Sequence, residues 1–434
     1  MILESVIIGA GLTFLANFQR DINRIENTWS STLEKCKVEG IRNLDKQTFK
    51  LYKTQKKMYG FHAITYIPEG LSILSLEKAK LVLQDNLNCL IQFEKDKFSE
   101  VINVKFVTRD VVNNYYEPVK TSIDKLFIGY SLDGSPYFMN LNRNPHLLIG
   151  GTTGTGKTFL LSLILTNLIK SCGHEVEIYL SQIMKGEIGL FKNCKPVRFV
   201  GYTLEEVYLA LKKVSKIVNE RSLEFTKHGI RDITQWNKYN PRRKKKRVVF
   251  AIEELSFFMP SDSESEENEI KKKCWSEILT ISKAGRSVGV HFLSVTQRST
   301  ATNLPPDVKS QLSRMTFKQK SSIDSTNIIN TTDAVGLGER ECIFDGDEYA
   351  RLKVPKIDED FKVLNKYVEE ILIPTKAAVK IKDYYTRLSY EETEKLKCTP
   401  SITSNKAENK NEKKINTKRR NGVINLSEVK DNVN

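Results

Sequence analysis

The sequence is poor in cysteine and short of acid, and it has no long hydrophobic run. Its seven cysteines (Cys36, Cys89, Cys172, Cys194, Cys274, Cys342 and Cys398) include no Cys-x-x-Cys pair. That scatter argues against a zinc site or a disulfide framework and for a reducing, cytosolic setting. The most apolar stretch, Met1 to Phe18, is interrupted by Glu4 and stops at Arg20, short of the ~20 residues that a spanning helix needs. It has neither a basic leading region nor a clear small-residue cleavage site, which argues against a secretory signal. Three readings of residues 1–20 stay open: a peripheral or marginal membrane anchor, a helix that is buried or faces a partner, and a true span. The shortage of acid sets 53 Asp and Glu against 68 Lys and Arg, a formal net charge of +15. Such an excess suits a polyanionic partner, nucleic acid or an anionic membrane surface, though part of it lies in a basic tail. With 434 residues the chain has room for two or three domains.

What is present is organised around His146-Leu-Leu-Ile-Gly-Gly-Thr-Thr-Gly-Thr-Gly-Lys-Thr158. Leu147 to Ile149 reads as a short buried strand and Phe159 to Lys170 as an apolar helix. Between them Gly151, Thr152, Thr153, Gly154, Thr155, Gly156, Lys157 and Thr158 fit G-x-x-x-x-G-K-[ST]. Glycines let successive backbone N–H groups turn toward phosphates, and the helix that follows presents its positive end to them. Lys157 is placed to reach the β/γ-phosphates of ATP and the Thr158 hydroxyl to ligate Mg²⁺.

Before this loop, residues 21–57 are polar with a hydrophobic residue every three or four positions, which predicts helix. Phe61–Ile67 and Val101–Val107 alternate like strands around an amphipathic helix at Ser75–Leu90, predicting a small α/β domain over 21–120. Leu126–Tyr130 and Tyr137–Leu141, joined through Asp133-Gly134, predict a hairpin. After the loop, apolar strands at Val176–Leu180, Val197–Val200, Val248–Ile252, Val290–Val295, Met315–Lys318 and Glu341–Phe344 alternate with helices such as Leu204–Leu223 and Glu269–Ala284. That pattern predicts a RecA-like α/β domain with a mostly parallel sheet over 121–376. Residues 377–434, including Lys413, Lys414 and Lys418-Arg-Arg420, are too polar to bury a core and predict a mostly disordered basic tail.

The strand Val248–Ile252 ends in Glu253 and Glu254. Beside a phosphate loop, the first acid suits hydrated Mg²⁺ and the second suits the attacking water. The next strand ends in Thr296-Gln297-Arg298, where Gln297 can sense the γ-phosphate. Two charged runs frame the acidic strand end, Pro241-Arg-Arg-Lys-Lys-Lys-Arg247 and Ser261-Asp-Ser-Glu-Ser-Glu-Glu267. The first reads as either a phosphate-backbone contact or a solvated loop, and the sequence leaves the role of the second undecided.

These pieces, with Lys185-Gly186, Ala284-Gly-Arg-Ser-Val-Gly-Val-His291, Ser322-Ile-Asp-Ser325 and Gly336-Leu-Gly338, resemble the FtsK/SpoIIIE family of DNA-translocating ATPases over Phe61 to Ile357. The resemblance implies RecA-like domains in a homo-hexameric ring around DNA, driven by ATP hydrolysis. By it Lys157 and Thr158 match the phosphate-loop lysine and the Mg²⁺ ligand, Glu254 the catalytic glutamate and Gln297 the sensor. Arg314 falls where the family carries an arginine before a strand and looks like a finger acting on the neighbouring subunit. Lys283, Arg286 and Lys309 fall in or beside segments similar to the pore loops that contact DNA. Glu253 stands where Asp is usual, and Leu180–Met184 lacks the Asp-Pro that commonly precedes Lys-Gly. No winged-helix module or multi-span membrane domain is recognisable, so the sequence looks most like the coupling ATPases of Gram-positive conjugative elements. That implies work on the inner face of the cell membrane, with a relaxase and channel proteins as partners. A chromosome-segregation or phage-packaging motor, and a non-translocating platform for a secretion channel, remain the alternatives.

Overall fold

The computed structural model describes residues 2–183, 187–297 and 306–373, without the side chains of residues 2–18, 306 and 307. Lys185-Gly186, Arg298 and the whole basic tail therefore lie outside the described residues. The chain begins with α1 (Ile2–Lys35), β1 (Leu51–Lys57), β2 (Gly60–Tyr66), α2 (Ile73–Leu87), β3 (Leu90–Lys95) and β4 (Val101–Val107). The strands form an antiparallel sheet in the order β1-β2-β4-β3. Ile22, Ile25, Trp29 and Leu33 recur at helical spacing and, with Leu76, Ala79 and Leu83 of α2, bury against Phe61, Ala63, Ile102, Val104 and Phe106. The Trp29 indole N–H donates to the Phe49 carbonyl at 2.8 Å, so the ring is buried with its polar edge satisfied.

Two expectations for this module need correction. Residues 51–57 form a strand and not the end of a helix. As an edge strand β1 leaves only Leu51 and Thr54 half-buried, so it lacks the alternation that marks a strand in sequence. The helix predicted to reach Leu90 stops at Leu87, where Asn88 adopts a left-handed cap (φ 50°) and releases Leu90–Lys95 to pair with β4.

The larger part contains β5 (Lys125–Ser131), β6 (Pro136–Asn140), β7 (Leu147–Gly150), α3 (Lys157–Cys172), β8 (Val176–Ser181), β9 (Val197–Gly201), α4 (Leu204–Lys227), α5 (Ile233–Tyr239) and β10 (Arg247–Ile252). It continues with α6 (Glu266–Val288), β11 (Val290–Val295), α7 (Pro306–Lys309), β12 (Ser313–Phe317), α8 (Ser322–Ile329), β13 (Glu341–Asp345), β14 (Tyr349–Lys353) and α9 (Lys362–Asn365). One 10-stranded sheet runs in the order β6-β5-β14-β13-β12-β7-β11-β10-β8-β9. From β12 to β9 every neighbour is parallel, and the strands beyond β12 are antiparallel. The sheet is thus mostly parallel, as its apolar strands predict. Val249, Ala251, Leu293 and Val295 turn toward α3, whereas Val248, Phe250, Ile252 and Phe292 turn toward α4 and α6. Burial on both faces is why these strands read as unbroken apolar runs.

The junction between the two parts falls earlier than residue 120. Tyr116 is buried in the larger core, its N–H donating to the Lys356 carbonyl at 2.9 Å and its hydroxyl to Asn167 Oδ1 at 3.0 Å. The acidic run before α6 gains a local role. Ser265 Oγ accepts from the Asn268 N–H at 3.2 Å, and Glu266, Glu267 and Glu269 occupy the first turn, where the helix dipole favours negative charge. Among the described residues no helix is long and apolar enough to cross a membrane.

Candidate active site

The phosphate loop leaves the C-terminal end of β7. Gly151 (φ 145°) and Gly156 (φ 103°) take backbone angles that side chains disfavour. A Cβ on Gly151 would come within 2.9 Å of Thr155 Oγ1 and 3.0 Å of Phe317 Cβ, so the close approach of β12 also requires glycine there. Thr155 Oγ1 donates to the Thr152 carbonyl at 2.7 Å, and the Thr152 N–H donates to the Lys318 carbonyl at 3.3 Å. Lys157 is 4% exposed and its ammonium donates to the Gly151 and Thr152 carbonyls at 2.8 and 2.7 Å. The amine is thereby held over the loop it serves. Thr158 follows it in the first turn of α3.

The carboxylates come from the adjoining strands. In the sheet β11 separates β7 from β10, which places Thr296 and Gln297 between the loop and the acids. Glu254 accepts from Ser256 Oγ at 2.5 Å, from Thr296 Oγ1 at 3.3 Å and from the Gln297 N–H at 3.2 Å. Thr153 Oγ1 in turn donates to Gln297 Oε1 at 3.3 Å, tying the sensor to the loop. Glu253, the preceding residue, is 1% exposed. Ser256 and Thr296 were not selected from the sequence, because hydroxyls beside a strand end carry no pattern of their own.

The residues fit a nucleoside triphosphate. Gly156, the N-cap of α3, supplies no side-chain cap hydrogen bond, and the first turn of a 16-residue helix therefore has N–H donors to offer an anion. A Cβ on Gly154 would meet nothing within 4 Å, so the outer curve of the loop is open. Thr158 and the buried Glu253 supply the oxygen chemistry that Mg²⁺ prefers.

Arg314 lies elsewhere. It sits opposite Leu148 in the β12–β7 register, three residues short of Gly151 and so about 10 Å back along the strand. Its guanidinium pairs with Asp345 across the β12–β13 ladder at 2.5 Å. Lys283 and Arg286 are exposed on the last turns of α6, on a helix and not in a loop; Arg286 Nε donates to the Asn142 carbonyl at 2.8 Å. Lys309 ends α7, half-buried, and donates to the Asn327 carbonyl. Burial, with Arg314 nearby, lowers its pKa.

The structure also contains a buried polar cluster at the starts of the parallel strands. Arg247, 3% exposed, reaches His291 Nε2 at 2.9 Å, Asn142 Oδ1 at 2.8 Å and the Asp124 carboxylate. His291 Nδ1 lies 2.9 Å from the Pro145 carbonyl, and His146 Nδ1 accepts from the Phe292 N–H at 3.0 Å. Donation to Pro145 leaves His291 Nε2 free to accept from the guanidinium, so the ring is neutral. Burial lowers the His146 pKa to about 4 and, with Arg247 beside it, holds His291 well below its usual range. The one signal in sequence was a histidine inside an otherwise apolar strand.

The chain is similar to known proteins. Residues 115–270 match the model of the FtsK/SpoIIIE family. The DNA translocase FtsK of Caldanaerobacter subterraneus subsp. tengcongensis is 29% identical over 229 residues, covering 50% of this chain and 30% of that protein. The DNA translocase SpoIIIE of Bacillus subtilis is 27% identical over 236 residues, covering 50% of this chain and 28% of its own. The chain thus spans about 30% of the length of these relatives. Among solved structures, the pCW3 conjugation coupling protein TcpA, in its monomer form with ATPγS, superposes with a TM-score of 0.56 at 17% identity. That match covers 81% of this chain and 99% of the other, and it shows a shared fold. Residues 115–270, which carry the phosphate loop and its paired acids, are thus the part of the chain that is similar to the FtsK/SpoIIIE family.

Proposed function

We propose that the chain is an ATP-driven DNA translocase. In this reading it works as a homo-hexameric ring and serves as the coupling protein of a conjugative or integrative element, bringing DNA, with or without a relaxase, to a membrane channel. The observation that carries the reading is Glu254, held by Ser256, Thr296 and Gln297 at the strand end beside the phosphate loop, with Gln297 touching Thr153. Bound ATP with Mg²⁺ would supply a phosphoanhydride that releases free energy on hydrolysis. Lys157 and the first-turn amides of α3 would hold its phosphates, while Thr158 and Glu253 would hold the metal. Glu254 would orient the attacking water and accept its proton, and Gln297 would report the state of the γ-phosphate to the loop.

The similarity to two DNA translocases supports DNA as the substrate, and the net charge of +15 is in keeping with it. The coupling role rests on the fold shared with a conjugation coupling protein together with the sequence resemblance. Work at the inner face of the membrane follows from that role. The test is an ATPase assay of the purified full chain with and without duplex and single-stranded DNA. Stimulation by DNA is expected; hydrolysis indifferent to both would point to a docking platform.

A further inference from the structure

The basic run before β10 is more than a solvated loop, because α5 pins its backbone. Asn237 exchanges two hydrogen bonds with Lys245, its amide donating to the Lys245 carbonyl at 2.9 Å and its oxygen accepting from the Lys245 N–H at 2.7 Å. The Trp236 indole N–H donates to the Arg243 carbonyl at 3.1 Å. Lys245 is itself spent, on Glu224 at 2.6 Å and over the Trp236 ring at 4.8 Å, and Arg247 is spent on Asp124. Lys244 and Lys246 are left facing outward from a fixed backbone.

Sequence-distant lysines meet them there. Two adjoining cavities of about 350 and 400 Å³, which share His174 and Lys246, open at the end of the sheet where β10, β8 and β9 begin. Lys244 and Lys246 line the first, and Lys170 from the end of α3 and Lys195 from the turn before β9 line the second together with Lys246. None of these four lysines makes an ion pair among the described residues. The acids on the walls are Asp124, Glu175 and Glu370, of which Asp124 is already taken by Arg247. The floor is apolar and buried at Ile233, Pro196 and Val368.

We propose that this trough is a second track for the nucleic-acid backbone, at the opposite pole of the sheet from the nucleotide. The inference rests on the DNA-translocase reading and adds a contact surface to it. Four ammonium groups without an ion pair among the described residues, gathered from three separate segments around a concavity, suit a row of phosphates. They suit a lipid surface less well, since membrane-binding faces carry exposed apolar side chains that insert, and here the apolar groups form the floor. From β10 across β8 to β9 is about 10 Å at ordinary strand spacing, the axial rise of about three phosphates on one strand.

The test is binding of the full chain to a fluorescent random-sequence duplex across a salt series. Lys170, Lys195, Lys244 and Lys246 are changed together to Gln, and a control carries Lys35→Gln, Lys37→Gln, Lys50→Gln and Lys53→Gln on the N-terminal module, with the same change in net charge. The trough variant should lower affinity at least tenfold and make the log–log salt slope shallower by about 2.7, at about 0.9 per phosphate, while ATP binding is unchanged. The control should move the slope little, and the same four trough positions as Arg should keep the parent slope. A trough variant that matches the control overturns the trough and leaves the translocase reading standing. Binding of anionic phosphatidylserine vesicles that falls in the trough variant while the DNA slope holds also overturns it. A parent chain that shows no salt-dependent DNA binding overturns both.

Discussion

Glu253 and Glu254 are neighbours in different surroundings, which suits them to separate tasks. Glu254 lies with the hydroxyls and amide at the end of β11, and Glu253 is buried. Glu254→Gln is expected to bind ATP normally and to hydrolyse it about 10²–10⁴-fold more slowly, the usual range for loss of a general base. Single-turnover hydrolysis beside a nucleotide-binding titration reads both, and turnover at the parent rate would remove Glu254 from the chemistry. Lys157→Ala should lose turnover altogether, because the amine at the loop centre is the group that meets the phosphates. Glu253→Asp shortens the acid by one methylene and is expected to leave activity equal to or above that of the parent; complete loss would show that the pocket has adapted to the longer side chain. These positions were legible in the sequence because phosphate geometry fixes the spacing from Gly151 to Thr158 and because two acids end an apolar strand. The Arg314–Asp345 pair was not legible, since it depends on the register of two strands that the sequence does not align.

At the scale of elements, the apolar strands β7, β8, β10 and β11 and the amphipathic helices α4 and α6 were readable, because burial on a defined face imposes a period. Two weakly patterned strands were not: the edge strand β1 is exposed along most of its length, and β14, between β13 and β5, has no clean alternation. The buried histidines escaped as well, and they make a pH prediction. The unfolded chain takes up protons as pH falls below about 6.5, whereas buried His146 resists protonation until about pH 4. The unfolded state therefore binds more protons in that window, and stability falls as pH drops through it, by on the order of 2 kcal/mol at pH 5 from this group alone. Urea melts at pH 7, 6 and 5 should show the loss, and His146→Gln should flatten it; equal slopes in parent and variant would place the acid sensitivity elsewhere. The N-terminal module has a core of its own, so Leu33→Ala is expected to cost about 2–5 kcal/mol there. ATP binding by the larger part should persist in that variant at low temperature, as read by nucleotide titration.

For the whole molecule, the proposed ring would turn Arg314, about 10 Å short of its own phosphate loop along the sheet, toward a neighbouring subunit's nucleotide. An arginine acting on a neighbour's nucleotide must exchange Asp345 for the γ-phosphoryl group, and such fingers contribute roughly 10³–10⁵ in turnover. Arg314→Ala and Lys157→Ala chains should each be inactive, and mixtures that exchange subunits should recover part of the ATPase activity, since some interfaces then pair an intact loop with an intact arginine. No recovery in exchanging rings would return Arg314 to a structural ion pair. Movement along DNA is measured directly by displacement of a third strand from a linear duplex. The parent chain should release the third strand only when ATP is hydrolysed, with Glu254→Gln inert under the same conditions. DNA-stimulated hydrolysis by the parent with no third strand released, whichever end of the duplex carries it, would contradict the account.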